Sequence, residues 1–594
     1  MPSTLASLLT AHAAAAPDRP ALHLLFSKQP DHTLTYRGLL EAAAGYARAY
    51  AQAGLLPGDV IVLIQQHGPG LAAAFWGAVL HGAVPAIMPF LTEKLAPEKY
   101  RDELAALVAI TRPAGIVTYP EFAPEVHAAL APDSSVRAVL LERDIVPDPA
   151  TDPAGLLGLA RAPEDMALLQ HSSGTTGLQK GVALSHRAVL NQLDTYAAAL
   201  RLADDDVVVS WLPLYHDMGL IAGFVIPVLR RIPLVLLSPF DWVRAPYRLL
   251  QAVTHYRGTL SWLPNFAYNF CAQKIRDRDL EGVDLSSWRA VINCSEPMRW
   301  ESHQAFAERF APYGLRPAAL ATCYAMAENV FAVTQGGIAA PVTVDEVDRR
   351  ALISDKRALP VTQEGHGQAT PPSLAGHGPR SEAEWGKGAG GIEPALSLSK
   401  GLKMLSAGPP LPNVQVRILD EQRAELPERH VGEIALRSDC MLTGYYHRPD
   451  LTERAFHDGW YLTGDLGYLA DGEVYITGRM KDLIIVGGKN VHPQDLESLA
   501  GEVPGVHPGR VVAFGVFNTD QGTEEVVIVA EVDTEDEDAR AQLANDIRQR
   551  INRGSDVAVR YVHLVGPRWV LKTSSGKLAR AANREKYLAE TAAG

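Results

Sequence analysis

The stretch QHSSGTTGLQKG, Gln170–Gly181, decides the reading of this chain. It follows a short apolar run, Met166 to Leu169, that reads as a strand. Gly174 and Gly177 permit tight turns that aim backbone N–H groups at an oxyanion. Ser172, Ser173, Thr175 and Thr176 add hydroxyl donors, and Lys180 adds a compact positive charge. Any one of these residues fits an ordinary polar turn, but their density behind a strand favours a phosphate cradle. The spacing is not that of a P-loop, since G-x-x-x-x-G-K-[ST] occurs nowhere, and a G-x-S-x-G nucleophile elbow is also missing.

Outward from the loop, Ser185 is placed to cap a helix whose Val189, Leu193, Tyr196, Ala197 and Leu200 share one face. Val207 to Trp211, Leu234 to Leu237, Thr259 to Trp262 and Ala290 to Ile292 then read as strands, each followed by a polar turn. From Met166 onward this predicts stacked β-α units and a mostly parallel sheet, with ligands bound beyond the strand ends. Between about Gly336 and Lys403 the composition shifts to Gly, Pro, Ser and Ala, which reads as an insertion. Its GKGAGG run, Gly386–Gly391, meets G-x-G-x-x-G formally, but without a strand before it the pattern reads as flexible linker. Past Gly478, the short strands Val511 to Phe514, Val526 to Val529 and Tyr561 to Leu564 surround a helix, Ala539 to Ile551. The expected division is a large domain over 1–478 and a smaller α/β domain over 479–594.

With 594 residues, 47% of them hydrophobic, the chain can bury a large core, which excludes a small binding module. Its net charge of -13 argues against a nucleic-acid partner. Cys271, Cys294, Cys323 and Cys440 form no C-x-x-C pair and read as reduced, buried thiols of a cytoplasmic protein. No Lys or Arg precedes Arg19, so a charged signal-peptide region is lacking, and Leu5, Leu8 and Leu9 suit an amphipathic helix. The apolar stretch Leu220 to Phe240 is broken by Pro227, Arg230, Arg231 and Pro233, so no transmembrane segment is expected.

Other motifs stand in order with the loop: NCSEP at Asn293–Pro297, TCYAMAE at Thr322–Glu328 and YLTGD at Tyr461–Asp465. GRMKDLIIVGGKNVHPQDLE follows at Gly478–Glu497 and KTSSGKLAR at Lys572–Arg580. Together they resemble the adenylate-forming superfamily of acyl-CoA synthetases, luciferases and peptide-synthetase adenylation domains, over nearly the whole chain except the insertion. The resemblance implies an α/β fold: a large N-terminal domain of stacked β-α subdomains, the adenylate-forming fold, with a small mobile C-terminal α/β domain. It also implies that ATP and a carboxylic acid are joined as an acyl adenylate.

Site roles follow from the same resemblance. Ser172 to Gly177 and Lys180 would hold the phosphates of ATP or AMP, and Ser295, Glu296, Pro297 and Tyr324 would line the adenine, with the Tyr324 ring stacking on it. Glu328, with Thr176, would hold Mg²⁺, because a carboxylate beside phosphate needs an intervening cation. Asp465 would accept the ribose hydroxyls, Arg479 would pair with the ribose or phosphate region, and Lys481 would be the hinge. Lys577 is the expected catalytic cation, reaching the attacking carboxylate oxygen and the α-phosphate.

SWLPLYHDMGLIAG, Ser210–Gly223, and SWLPNFAYNFC, Ser261–Cys271, resemble the fatty acyl-AMP ligase branch. His216, next to Asp217 beyond a strand end, is placed to gate or orient the carboxylate; a structural histidine bonded to backbone is the alternative. Met218, Leu220, Ile221, Phe266 and Phe270 suit either an acyl tunnel or plain core, and Asn265 stands among them. In that branch an insertion beginning like VDRRAL, Val347–Leu352, restrains the small domain. The acyl group then goes to the phosphopantetheine thiol of an acyl carrier protein rather than to CoA. Here the insertion departs from the pattern, being enlarged by the Gly/Pro-rich tract and PALSLSKG, Pro394–Gly401; Ala325 and Gln179 also depart from common residues. No DSL serine motif follows residue 580, so the carrier is expected to be a separate chain. An acyl-CoA ligase is the alternative. A non-catalytic nucleotide-binding homologue is the second alternative, and Lys180, Glu328, Asp465, Arg479 and Lys577 speak against it.

Overall fold

The computed structural model describes residues 3–90, 97–172, 180–361, 401–486, 489–518, 523–555, 559–573 and 576–592. The GKGAGG run and Pro394–Lys400 lie outside them. The largest sheet has seven strands in the order Leu320–Cys323, Ala290–Cys294, Leu260–Leu263, Val208–Ser210, Leu234–Leu237, Pro20–Leu25, His32–Thr35. All its pairs are parallel except Pro20–Leu25 with His32–Thr35. A second sheet of four parallel strands, Val84–Ile87, Val60–Ile64, Gly115–Thr118 and Ala138–Leu141, carries its own apolar core. The helices Tyr36–Gln52 and Pro69–His81 pack closely, because a Cβ at Gly77 would lie only 2.4 Å from the Cβ of Tyr46.

The helix Leu5–Ala15 starts at a capping box formed by Thr4 and Ser7, and Leu5 and Leu9 are fully buried. Its Leu5 N–H donates to His186 Nδ1 at 3.2 Å, which ties the N-terminal helix to the start of the helix His186–Ala199. The stretch expected not to span a membrane is core instead: Met218–Val225 is a buried π-helical turn, followed by the helix Ile226–Leu229 and the strand Leu234–Leu237. Among the described residues no helix is long and apolar enough to cross a membrane. All four cysteines are buried and unpaired.

Two expectations change. Met166–Ser172 and Lys180–Ser185 do not join the parallel sheet; they pair antiparallel with each other, and Gly444–Tyr445 adds a third strand. The link between them, residues 173–179, is too short for the crossover that a parallel pair requires. The second change is an antiparallel sheet not anticipated in the β-α reading, built from Val414–Leu419, Gly432–Ser438, Phe456–His457, Trp460–Ala470 and Glu473–Arg479.

The insertion begins and ends in ordered pairing. Val344–Asp348 runs antiparallel to Gly401–Leu405, and the helix Arg349–Ser354 follows the first of these strands. Beside this pair, Gly408 takes φ +95 and a Cβ there would lie 2.1 Å from Gly336 N, so the chain before and after the insertion is pressed together. Past residue 483, the hairpin Ile484–Val486/Lys489–Val491, the helix Pro493–Gly501, and the strands Val506–Asn518, Thr523–Val532 and Tyr561–Val565 enclose separate apolar clusters with the helix Glu537–Gly554.

Candidate active site

The site assembles where parallel strands end. Ala290–Cys294 delivers Ser295 in a left-handed conformation, φ +70, which is uncommon for a residue with a side chain and turns the chain sharply. The Ser295 hydroxyl meets Met218 Sδ at 3.7 Å, and the Phe266 N–H donates to Glu296 Oε2 at 2.9 Å. Burial pushes the Glu296 carboxyl above the usual range, against the Phe266 N–H and Lys577. Beyond the strand Val208–Ser210, His216 Nδ1 lies 2.6 Å from Asp217 Oδ1, and the same oxygen accepts the Met218 N–H at 2.8 Å. Burial would raise the Asp217 carboxyl, yet His216, Lys577 and the Met218 N–H together hold it below the ordinary value.

Lys577 comes to this place from the other end of the chain. Burial pushes its ammonium below the ordinary lysine range and Arg479 pushes it further, while Asp217 and Glu296 pull it back. A Cβ at the neighbouring Gly576 would sit 3.7 Å from Phe266 Cε1, so the loop rests on that ring. Lys577 thus shares one polar cluster with the residues after two parallel strands.

The register of Trp460–Ala470 with Glu473–Arg479 sets Asp465 opposite Arg479. Arg479 Nε donates to Asp465 Oδ1 at 2.7 Å, and the Tyr324 hydroxyl donates to Oδ2 at 2.6 Å. A carboxylate offers about four lone-pair sites, so these bonds leave acceptor capacity on the buried Asp465. Asp465 raises the Arg479 guanidinium, and burial followed by Asp465 raises the Tyr324 hydroxyl.

Lys180 opens the strand Lys180–Ser185, with Nζ 4.6 Å from the centre of the Tyr445 ring. Burial lowers its ammonium, Lys481 and Arg448 add to that, and Glu328 opposes them. Glu328 sits in the short turn Ala327–Asn329 and accepts the Tyr445 hydroxyl at 2.8 Å. The next residue but one, Val330, holds φ +62, a costly conformation for a β-branched side chain. Ser172 ends its strand paired with Lys180; Ser173, Gly174, Thr175, Thr176 and Gly177 lie outside the described residues. Lys481 is exposed in the turn Met480–Asp482, and Pro297 is also exposed.

The pocket candidates separate. Ile221 is fully buried and Met218 nearly so, whereas Phe266 is half-buried at the Lys577 loop. Asn265 braces the turn below the site: Nδ2 donates to Ser302 Oγ, and Oδ1 accepts from Asn293 Nδ2 and the Arg299 N–H.

Sequence reasoning missed several contributors. Trp211 and Trp242 stack with ring centres 3.5 Å apart, and Phe266 meets both edge-on. Arg299 Nη2 bonds Asp495 Oδ1 at 3.1 Å, linking the NCSEP turn to the helix Pro493–Gly501. Arg299 stands two residues past the NCSEP motif, which was the available signal.

Among the described residues no group of three or more His, Cys, Asp or Glu side chains could hold a metal by itself. A cation here would need oxygens from a bound substrate, which suits a single carboxylate beside a lysine-bearing strand. The sequence profile of the family described as AMP-binding enzyme matches residues 9–358. The chain belongs to that family. This AMP-binding enzyme is 30% identical to a putative acyl-CoA synthetase of Caulobacter vibrioides, over 94% of its own length and 91% of the relative's. It is also 30% identical to the long-chain-fatty-acid–AMP ligase FadD26 of Mycobacterium bovis, over 98% and 96% of the two chains. A solved structure from work on fatty acyl-adenylate ligases from E. coli and L. pneumophila superposes with a TM-score of 0.85 at 28% identity. That match covers 99% of this AMP-binding enzyme and 98% of the other chain.

Proposed function

We propose that this AMP-binding enzyme activates a fatty or related carboxylic acid as acyl-AMP and then passes the acyl group to the phosphopantetheine thiol of a separate acyl carrier protein, in the cytoplasm. The observation that carries the reading is the meeting of Lys577 with Asp217, Glu296 and Arg479. A carboxylate oxygen attacks the α-phosphorus of ATP, the new P–O bond forms as the bond to pyrophosphate breaks, and pyrophosphate leaves. Negative charge accumulates on the α-phosphoryl oxygens, and an ammonium fixed there stabilises the transition state more than the separated reactants. His216, bonded to Asp217, orients the incoming carboxylate. Ser295, Glu296, Pro297 and Tyr324 bound the adenine, Asp465 and Arg479 hold the ribose, and Lys180 with the 172–177 loop holds the phosphates. Met218, Ile221, Asn265 and Phe266 form or support the acyl pocket. Glu328 and Thr176 hold Mg²⁺, which supplies charge neutralisation at the phosphates. The parts 1–478 and 479–594 act as separate domains that turn about Lys481 between the two half-reactions.

The test is acid-dependent ATP–pyrophosphate exchange over acids of graded chain length. Lys577→Ala is expected to lower exchange at least about a hundredfold while ATP binding stays within a few-fold; equal loss of both would remove Lys577 from the chemistry. The Caulobacter relative's name keeps CoA as the second acceptor to test. With CoA and holo-carrier protein offered together, the carrier thioester is expected to form first, and faster CoA thioester formation would reverse the choice.

A further inference from the structure

The segment Leu442–Tyr446 joins two parts of the site that lie far apart in sequence. The Leu442 N–H donates to Glu328 O at 2.8 Å, the Thr443 N–H to Ala183 O at 2.9 Å and the Tyr446 N–H to Gly181 O at 2.8 Å. The turn carrying Glu328 is thereby fastened to the strand that begins at Lys180. The Tyr445 side chain repeats the link with chemistry attached: its hydroxyl donates to Glu328 Oε1 at 2.8 Å, and its ring lies 4.6 Å from Lys180 Nζ. The Tyr461 hydroxyl stands 2.9 Å from that of Tyr445. A carboxylate can only accept, so the proton direction is set: Tyr461 donates to Tyr445, and Tyr445 donates to Glu328. Such a chain strengthens each of its bonds. Both tyrosines are buried, at 5% and 4% exposure, so water competes little for these contacts.

Lys180 and Glu328 attract one another, yet among the described residues no ion pair joins them. A direct pair would neutralise the cation meant for phosphate and the carboxylate meant for a metal. Tyr445 offers each a partner that orients it without cancelling its charge, a π face for the ammonium and an O–H for the carboxylate. The geometry points to Tyr445 as a positioning residue for adenylation: its hydroxyl orients Glu328 for a divalent cation, and its ring keeps Lys180 from pairing with that carboxylate. This rests on the proposed roles of Glu328 and Lys180.

The test uses the full-length enzyme, the α,β-methylene analogue of ATP, and Mn²⁺ as the metal probe, with bound Mn²⁺ read from the loss of the free-ion EPR signal. Tyr445→Phe is expected to weaken Mn²⁺ binding to the enzyme–nucleotide complex about tenfold, as loss of an outer partner of a metal ligand does. Nucleotide binding without metal should stay within about twofold for this variant, because the ring remains. Tyr445→Leu is expected to weaken metal-free nucleotide binding as well, since Lys180 then falls onto Glu328. Adding Glu328→Gln to Tyr445→Leu should restore part of that binding, an outcome a merely structural tyrosine would not produce. If Glu328→Gln alone leaves Mn²⁺ affinity unchanged, the assignment of Glu328 fails and the inference with it. If Glu328→Gln weakens Mn²⁺ binding but Tyr445→Phe does not, the inference alone is overturned. Absence of rescue in the Leu/Gln double variant overturns the role of the ring. Should Tyr445→Leu fail to fold, the Tyr445→Phe result decides.

Discussion

At Lys577 the chain places a flexible ammonium within the fields of two carboxylates, Asp217 and Glu296, and one guanidinium, Arg479. Burial and Arg479 outweigh the carboxylates, so the proton leaves at lower pH than from an exposed lysine. If the ammonium is the working form, kcat/KM for pyrophosphate exchange is flat below the depressed value and falls as pH rises through it. The expected alkaline limb therefore lies below the ordinary lysine value of about 10.4. Lys577→Arg should move that limb beyond the measurable range, because guanidinium does not deprotonate there. A limb at the same pH in both proteins would assign it to another group. Lys577 was legible because KTSSGKLAR is a recognisable string. Tyr445 was not, because a tyrosine in GYYHRP carries no periodicity and its partner Glu328 is supplied by a distant turn.

The helix Arg580–Ala592 starts with a cation at the end where a helix disfavours positive charge. The Arg580 side chain offsets this by bonding Asp482 at 2.7 Å and both oxygens of Glu497 at 2.9 and 2.7 Å. All three side chains are at most 17% exposed, so removing one leaves charge stranded away from water. Arg580→Ala is expected to cost about 3 kcal/mol in urea denaturation, and a loss under about 1 kcal/mol would show that the network is solvent-screened. At this scale the sequence yielded four of the seven strands of the large sheet, Val208–Ser210, Leu234–Leu237, Leu260–Leu263 and Ala290–Cys294, whose side chains are buried and stand out as apolar runs, but not Pro20–Leu25, His32–Thr35 or Leu320–Cys323. It yielded Met166 to Leu169 as a strand, which the structure extends to Ser172, but not its antiparallel pairing, since pairing direction depends on the length of the next link. The sheet around Trp460–Ala470 was illegible for a different reason. Its strands mix buried and half-exposed positions, and polar motif residues such as Thr463 and Asp465 interrupt the alternation.

Across the whole molecule, the bond between Arg299 and Asp495 spans the two proposed domains, with each side chain partly exposed. A turn about Lys481 would have to break it. Asp495→Ala is expected to slow adenylation a few-fold while leaving transfer from preformed acyl-AMP to the carrier unchanged, as single-turnover assays of each step would resolve; equal slowing of both steps would contradict this. A second expectation concerns acid. His171, His186 and His303 are at most 8% exposed, and burial lowers each to about 4. In the unfolded chain they take protons near 6.5. The contribution of these histidines to stability is therefore complete above about pH 6.5, falls as pH drops toward 4, and levels off below, each contributing up to about 3 kcal/mol. A urea midpoint unchanged between pH 7 and 4.5 would refute the neutral assignment. The order of strands in the large sheet also has a consequence during synthesis. Pro20–Leu25 leaves the ribosome early, yet one of its neighbours, Leu234–Leu237, is made roughly two hundred residues later. At about 5–20 residues per second the first strand waits about 10–40 s with Leu22 and Leu24 uncovered. The nascent chain must be shielded for that interval, and the N-terminal helix, though complete early, also waits for His186 to emerge.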